Sequence, residues 1–236
     1  MGRILVQNRR PVVPGVATNV ISDAAIVAWN GFPEADTQSM VLGGWVKKAP
    51  YFGSVYDCIM KGSYLNSGAF ITVRSDPSGR AYPLLNKSGV ATNTGTVINH
   101  DKLRWFHVVA IISKTNVTLY KNGILVSTAS LIAGFNNGEC WQGTAYDFMA
   151  VCSNAGRSCS AIFASTNDPN KVLITPEQIR AMYETGAIPK DIIYWPMDEG
   201  TGSGAGTCKA YVNGVNVPAL DGSLSANSWV ADSPFN

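Results

Sequence analysis

Leu103–Ser130, LRWFHVVAIISKTNVTLYKNGILVSTAS, decides the fold. Between Trp105 and Ile112 only His107 is polar. In an extended chain Trp105, His107, Val109 and Ile111 point one way, and Phe106, Val108, Ala110 and Ile112 the other. A strand that is apolar on both faces needs cover on both. Lys114–Asn116 form a short polar turn. Val117–Lys121 then alternates, with Val117 and Leu119 on one face. Asn122-Gly123 follows, and the chain returns through Ile124–Thr128. Asn-Gly between two strand-like runs specifies a type I′ hairpin, because both central residues need positive φ. The stretch therefore predicts a three-stranded antiparallel meander.

Trp105-Phe106-His107-Val108-Val109-Ala110, followed by Leu119-Tyr120-Lys121-Asn122-Gly123-Ile124-Leu125-Val126, resembles the W-x-H-V-A … L-Y-x-N-G-x-x-V signature of laminin-G-like, concanavalin-A-like jelly rolls. This lectin and glucanase fold also occurs in phage structural proteins. The resemblance implies an all-β, two-sheet antiparallel jelly-roll sandwich. Further along, Ser39–Lys48 is similar to the family's W-v-K strand, with Trp45 as a core residue. Asp57–Gly62 is similar to its i-l-s-K-G strand and turn. Ala69–Arg74, the turn at Ser75–Arg80 and Ala81–Leu85 resemble its d-s-x-G-r hairpin.

Leu173–Gly186, LITPEQIRAMYETG, resembles the segment that closes such domains, and it also reads as a helix on its own terms. Thr175 is an N-cap, Pro176 suits N1, and Glu177 and Gln178 fill the first turn. Gly186 supplies the stop. Ile174, Ile179, Met182 and Tyr183 make one apolar stripe. One short helix is expected near residues 175–185. Beyond it, Ile193–Gly202 and Asp221–Leu224 with Trp229 resemble motifs that open the domain in many relatives. The order is permuted, so residues 192–236 either complete the same sandwich or are appended to it. Gly202–Gly206 is expected to be a flexible loop. It lacks the context of a phosphate cradle.

The composition fits this fold. The 236 residues are 46% hydrophobic and 14% charged, with 23 Gly and 12 Pro, which is enough for one large core with many turns. The net charge of +2 is scattered, so no nucleic-acid partner is implied. No stretch reaches the length of a membrane span, and the N-terminus does not read as a signal peptide. The chain is expected to be made in a cytoplasm. Five cysteines at 58, 140, 152, 159 and 208 include no CxxC pair, so they read as reduced core thiols, with a Cys152–Cys159 bridge as the other reading.

Residues 1–18 read as an extended arm and residues 19–236 as a single jelly roll, with a first strand in Asn19–Asn30. The arm combines Arg3, Arg9 and Arg10 with Ile4, Leu5, Val6, Val12 and Val13. Pro11 and Pro14 disfavour a packed strand. It is either a solvated end or an arm laid on a neighbouring subunit.

Chemistry is sparse. Glu34, Glu139, Glu177, Glu184 and Glu199 provide no pair on one strand face, whereas a retaining glycosidase needs two carboxylates about 5–5.5 Å apart. His107 lies in the core strand and reads as a satisfied core histidine. No catalytic residue and no cofactor is expected. The family resemblance admits calcium, for which Asp57, Asp147 and Asn154 qualify by residue type alone. Tyr51, Phe52, Trp141 and Tyr146 lie near predicted loops or strand ends and could stack on sugars.

These readings lead first to a non-enzymatic structural or assembly protein: a virion component, capsid decoration or tail, partnered by itself and by other virion proteins such as a capsid shell. The alternative is a lectin module that binds surface glycans. The expected core is Trp45, Trp105, Val109 and Leu119, with Trp105→Ala costing about 3–5 kcal/mol.

Overall fold

The computed structural model describes the backbone of residues 15–17, 21–22, 25–26, 39–48, 57–64, 70–75, 80–87, 90–93, 98–99, 104–113, 116–130, 146–149, 157–165, 174–196 and 203–230. Side chains are described for 41, 43–45, 104–111, 116–129, 163, 174–196, 209–219 and 221.

The strands are β1 (Gly15–Ala17), β2 (Ile21–Ser22), β3 (Ala25–Ile26), β4 (Ser39–Lys48), β5 (Asp57–Tyr64), β6 (Phe70–Ser75), β7 (Arg80–Lys87), β8 (Val90–Asn93) and β9 (Ile98–Asn99). They continue with β10 (Trp105–Ser113), β11 (Asn116–Lys121), β12 (Ile124–Ser130), β13 (Tyr146–Met149) and β14 (Arg157–Ser165). After helix α1 (Pro176–Thr185) come β15 (Ile192–Trp195), β16 (Ser203–Cys208), β17 (Tyr211–Val212), β18 (Val215–Asn216) and β19 (Gly222–Val230).

Two antiparallel sheets form the jelly-roll sandwich. The larger, of twelve strands, runs β12-β11-β10-β4-β14-β1-β19-β16, with β2 on β19 and a branch β15-β17-β18 leaving β14. The smaller, of seven, runs β3-β13-β5-β6-β7-β8, with β9 on β7. The C-terminal strands β15 to β19 thus pair within the larger sheet.

The predicted meander is present. β10 pairs with β11 and β11 with β12, and Lys121 faces Ile124 across the turn. Asn122 (φ 52°) and Gly123 (φ 77°) supply the two positive dihedrals of a type I′ turn. Asn122 also bonds back to β10. Its backbone N–H donates to His107 O at 2.9 Å, and its side-chain Oδ1 accepts from His107 N–H at 2.9 Å.

β10 is buried on both faces, from Phe106 through Ala110. One face lies inside the sandwich. The other is covered by α1, whose Ile179 and Met182 join Ile174, Val41, Val109, Tyr120, Phe163 and Ile192 in one cluster. The helix ends as its sequence dictates. Thr175 and Gln178 form a reciprocal capping box, and Gly186 closes the C-terminus in the left-handed region at φ 64°. Tyr183 stacks on Trp45 at 5.4 Å between ring centroids.

Glycines allow two close approaches. A Cβ on Gly43 would sit 1.9 Å from Phe163 Cζ, so the Phe163 ring occupies the space that a side chain would need. Gly43 faces Phe163 in the β4–β14 ladder just after the register shifts past Ser160. A Cβ on Gly123 would sit 3.2 Å from Arg180 Cα and Tyr183 Cβ, which shows how tightly the turn seats under α1.

Several sequence expectations need correction. Gly15–Ala17, inside the expected arm, pairs with both β14 and β19. The sheet thus begins before Asn19, and residues 1–14, with every arm residue from Arg3 to Val13, lie outside the described residues. The expected strand over Asn19–Asn30 is instead the pair β2 and β3. β2 joins the larger sheet and β3 the smaller, because the chain crosses between the sheets there. Ser203–Cys208 is a strand paired with β19, not a loop; its glycines accept a register shift between Gly204 and Gly206. Trp105 is only half-buried, whereas Trp195 is fully buried.

His107 is a core residue, 1% exposed, but not a satisfied one. Among the described residues, its Nδ1 and Trp105 Nε1 are the buried side-chain nitrogens without a hydrogen-bond partner. Its ring centroid lies 5.3 Å from that of Trp45, 5.7 Å from Phe163 and 6.2 Å from Tyr183. Desolvation pushes the imidazole down from 6.5 to about 3, so it stays neutral in the fold.

Two outcomes are expected. Gly43→Ala should cost about 1–3 kcal/mol by overpacking against Phe163. Combined with Phe163→Ala it should cost less than the sum of the single changes, as read from thermal melts. Below pH 6.5 an unfolded His107 takes up a proton that the folded one refuses. Its contribution is therefore complete above pH 6.5 and is lost as pH falls toward 3, by up to about 1.4 kcal/mol per pH unit. Urea unfolding across that window should show a shallower pH slope in His107→Phe than in the parent.

Candidate functional site

The chain contains a second Asn-Gly turn. Tyr211-Val212-Asn213-Gly214-Val215 repeats the spacing of Tyr120-Lys121-Asn122-Gly123-Ile124. Asn213 (φ 53°) and Gly214 (φ 78°) again adopt the type I′ geometry, joining β17 to β18. Asn213 also reaches back to a neighbouring segment. Its Oδ1 accepts from Asp191 N–H at 3.0 Å, and its Nδ2 donates to Asp191 Oδ1 at 3.3 Å. Asp191 itself is left-handed at φ 61°, a conformation that Asp tolerates better than bulkier residues.

A hairpin of two-residue strands is marginal alone, and this one is tied at its other end too. Asp221 Oδ1 accepts from Ala210 N–H at 2.8 Å and from Asn216 Nδ2 at 3.1 Å. Ala210 O in turn accepts from Asn216 Nδ2 and Val217 N–H, each at 2.9 Å. The hairpin is therefore fixed relative to β15 and to the connector from α1.

The two turns differ in what covers them. Helix α1 sits on Gly123, whereas nothing lies within 4 Å of a Cβ placed on Gly214. Next to Gly214 opens a cleft of about 560 Å³. It is lined by Ile188, Pro189 and Lys190 of the connector, by Ile192 and Tyr194 of β15, by Pro196, and by Tyr211, Asn213 and Gly214 of the hairpin. Tyr194 and Tyr211 face each other directly across the β15–β17 ladder, so their side chains share one face.

Tyr194 is half-buried and packs against the cluster beneath α1. Tyr211 is also half-buried, and no ring or hydrogen-bond partner is found for its side chain among the described residues. Among the described residues, Lys190 is the sole charged residue that lines the cleft, and it is exposed. No carboxylate of the described residues lines it. The volume and the mix of apolar lining and few polar groups suit a small-molecule site.

None of these residues was singled out from sequence as a site. Of the four sugar-contact expectations, Tyr146 opens β13 in the smaller sheet, opposite Tyr64, and its side chain is not described. Tyr51, Phe52 and Trp141 lie outside the described residues. Of the calcium candidates, Asp57 and Asp147 stand apart in the sheet. Asp147 is registered with Ser63, six residues along β5 from Asp57, or about 20 Å at strand rise. Asn154 lies outside the described residues. Among those described, no group of three or more His, Cys, Asp or Glu could hold a metal ion, so the chemistry admitted by resemblance has no donor set there. The repeated Asn-Gly spacing was the available signal for the second hairpin. The cross-strand meeting of Tyr194 and Tyr211 was not visible, because it depends on β15 pairing with β17.

No family model matches the chain, and no curated protein matches it by sequence. Solved structures do share its fold. A protein of Bacteroides ovatus assigned to carbohydrate binding superposes on 93% of this chain at 12% identity with a TM-score of 0.56, and the match spans 59% of that protein. A heptameric SAP-like pentraxin from Limulus polyphemus matches 81% of this chain and 93% of its own at 13% identity, with a TM-score of 0.47. Domain 4 of a GH43 extracellular arabinanase from Geobacillus stearothermophilus, solved with arabinotriose, matches 72% of this chain and 87% of its own at 13% identity, with a TM-score of 0.45. At such identity the likeness to the Bacteroides ovatus protein shows the fold alone, a two-sheet jelly roll.

Proposed function

We propose that the protein is a non-enzymatic carbohydrate-binding module whose ligand lies in the cleft lined by Tyr194 and Tyr211. The observation that carries this reading is Tyr211. It is a half-exposed aromatic ring with an unpartnered hydroxyl, fixed opposite a second tyrosine on one face of a short, doubly tied hairpin. A pyranose offers a C–H face that packs on an aromatic ring, and hydroxyls that pair with phenol and backbone groups. A rigid ring pays little entropy on binding, and the ties through Asn213 and Asp221 hold the hairpin in place beforehand. Among the described residues, the cleft lining carries no carboxylate that could form the acid–base pair of glycoside hydrolysis.

The fold likeness to a protein assigned to carbohydrate binding supports the same reading, although fold alone does not fix function. The virion assembly role expected first from sequence rests on the arm, whose residues from Arg3 to Val13 lie outside the described ones. An arm truncation that tests that role must stop at Pro14, because Gly15–Ala17 belongs to the sheet.

A glycan array should identify ligands, and titration calorimetry should then compare the parent with Tyr211→Ala. Loss of the ring should weaken binding roughly tenfold, about 1.4 kcal/mol, with little change in melting temperature. An array without ligands, or full affinity in Tyr211→Ala, would overturn the proposal.

A further inference from the structure

We infer that the cleft takes an anionic sugar, a ring bearing a carboxylate or sulfate that pairs with the ammonium of Lys190. The inference rests on the cleft being a glycan site, and it adds the class of glycan. Three observations carry it. Among the described residues, Lys190 is the sole charged residue that lines the cleft, and it forms no ion pair there. The neighbouring carboxylate, Asp191, already accepts from Asn213 Nδ2 and does not line the cleft. Lys190 also stands in the connector that Pro189 stiffens and that the Asp191–Asn213 contacts fix beside the hairpin turn.

A cation beside an uncompensated, partly closed, largely apolar surface favours an anion over a neutral ligand of the same shape. A lysine accepts either source of charge, because its ammonium acts as a point charge without the planar fork of an arginine. The geometry is therefore a ring face on Tyr211 with an anionic substituent directed to the connector.

The test uses the full chain and four probes by NMR titration: methyl glucoside, methyl glucuronide, a sulfated glucose and inorganic sulfate. The charged sugars should bind more tightly than methyl glucoside by roughly two- to fivefold, the range of a solvent-exposed ion pair, and the advantage should shrink as salt is raised. Lys190→Met should abolish the advantage of the charged sugars over methyl glucoside, and Lys190→Arg should restore most of it. A glucuronide advantage alone, or a sulfated-sugar advantage alone, would support the inference and identify the substituent. Tighter binding of inorganic sulfate than of either charged sugar would overturn it, as would equal binding of neutral and charged sugars with no effect of Lys190→Met. In that last case, continued dependence on Tyr211 would leave the glycan reading standing. Failure of every sugar to perturb the cleft would remove both.

Discussion

Burial of β10 on both faces is the constraint on which the rest depends. A strand carrying Phe106, Val108 and Ala110 on one side and His107 and Val109 on the other cannot leave either face to water. Each large apolar side chain so buried contributes about 1.5–3 kcal/mol. One face lies inside the sandwich. The other requires α1, which explains why the helix has a complete capping box and a glycine stop although it spans only ten residues. Cover by a helix demands close approach, and that fixes small residues. Gly43 makes room for Phe163 beneath the helix, and Gly123 lets Arg180 and Tyr183 lie on the hairpin turn. The Asn122 carboxamide then extends the ladder past the end of β11 by binding the His107 backbone. The helical cover has a cost in an imidazole nitrogen without a partner, tolerable because the ring remains neutral.

Among the described residues, the same turn occurs twice with different surroundings. At Asn122-Gly123 the asparagine is tied to a core strand and the glycine is roofed by α1. At Asn213-Gly214 the asparagine is tied to Asp191 and the glycine is open. The second copy exposes what the first conceals: a rigid hairpin face with an aromatic residue at the same position before the turn, Tyr211 in place of Tyr120. Tyr120 is buried under the helix, and Tyr211 lines the cleft.

The legible parts of this chain were those fixed by local chemistry. The two-faced strand, the Asn-Gly turn, the Thr175 cap and the Gly186 stop each depend on residues close in sequence, and each occurs where the sequence places it. What was not legible depends on pairing at a distance. Gly15–Ala17 has no alternation to mark it, and it is a strand because β14 and β19 flank it. Ser203–Cys208 reads as a loop by composition, yet β19 recruits it. The split of Asn19–Asn30 between two sheets follows from topology. The cleft belongs to the same class. Lys190, Tyr194 and Tyr211 are ordinary residues alone, and they come to line one cleft only once β17 is registered on β15. The aromatic residues chosen from sequence were selected by type and predicted position, without the pairing that would have assembled them.

The account places ligand binding on the β15–β17–β18 branch and its connector. Amide chemical-shift mapping of the intact protein, titrated with a sugar drawn from its own array hits, tests this most directly. Perturbations should cluster at Ile188–Tyr194 and Tyr211–Val215, with β10 and the Asn122-Gly123 turn unaffected. A cluster elsewhere, for example along the smaller sheet, would contradict it.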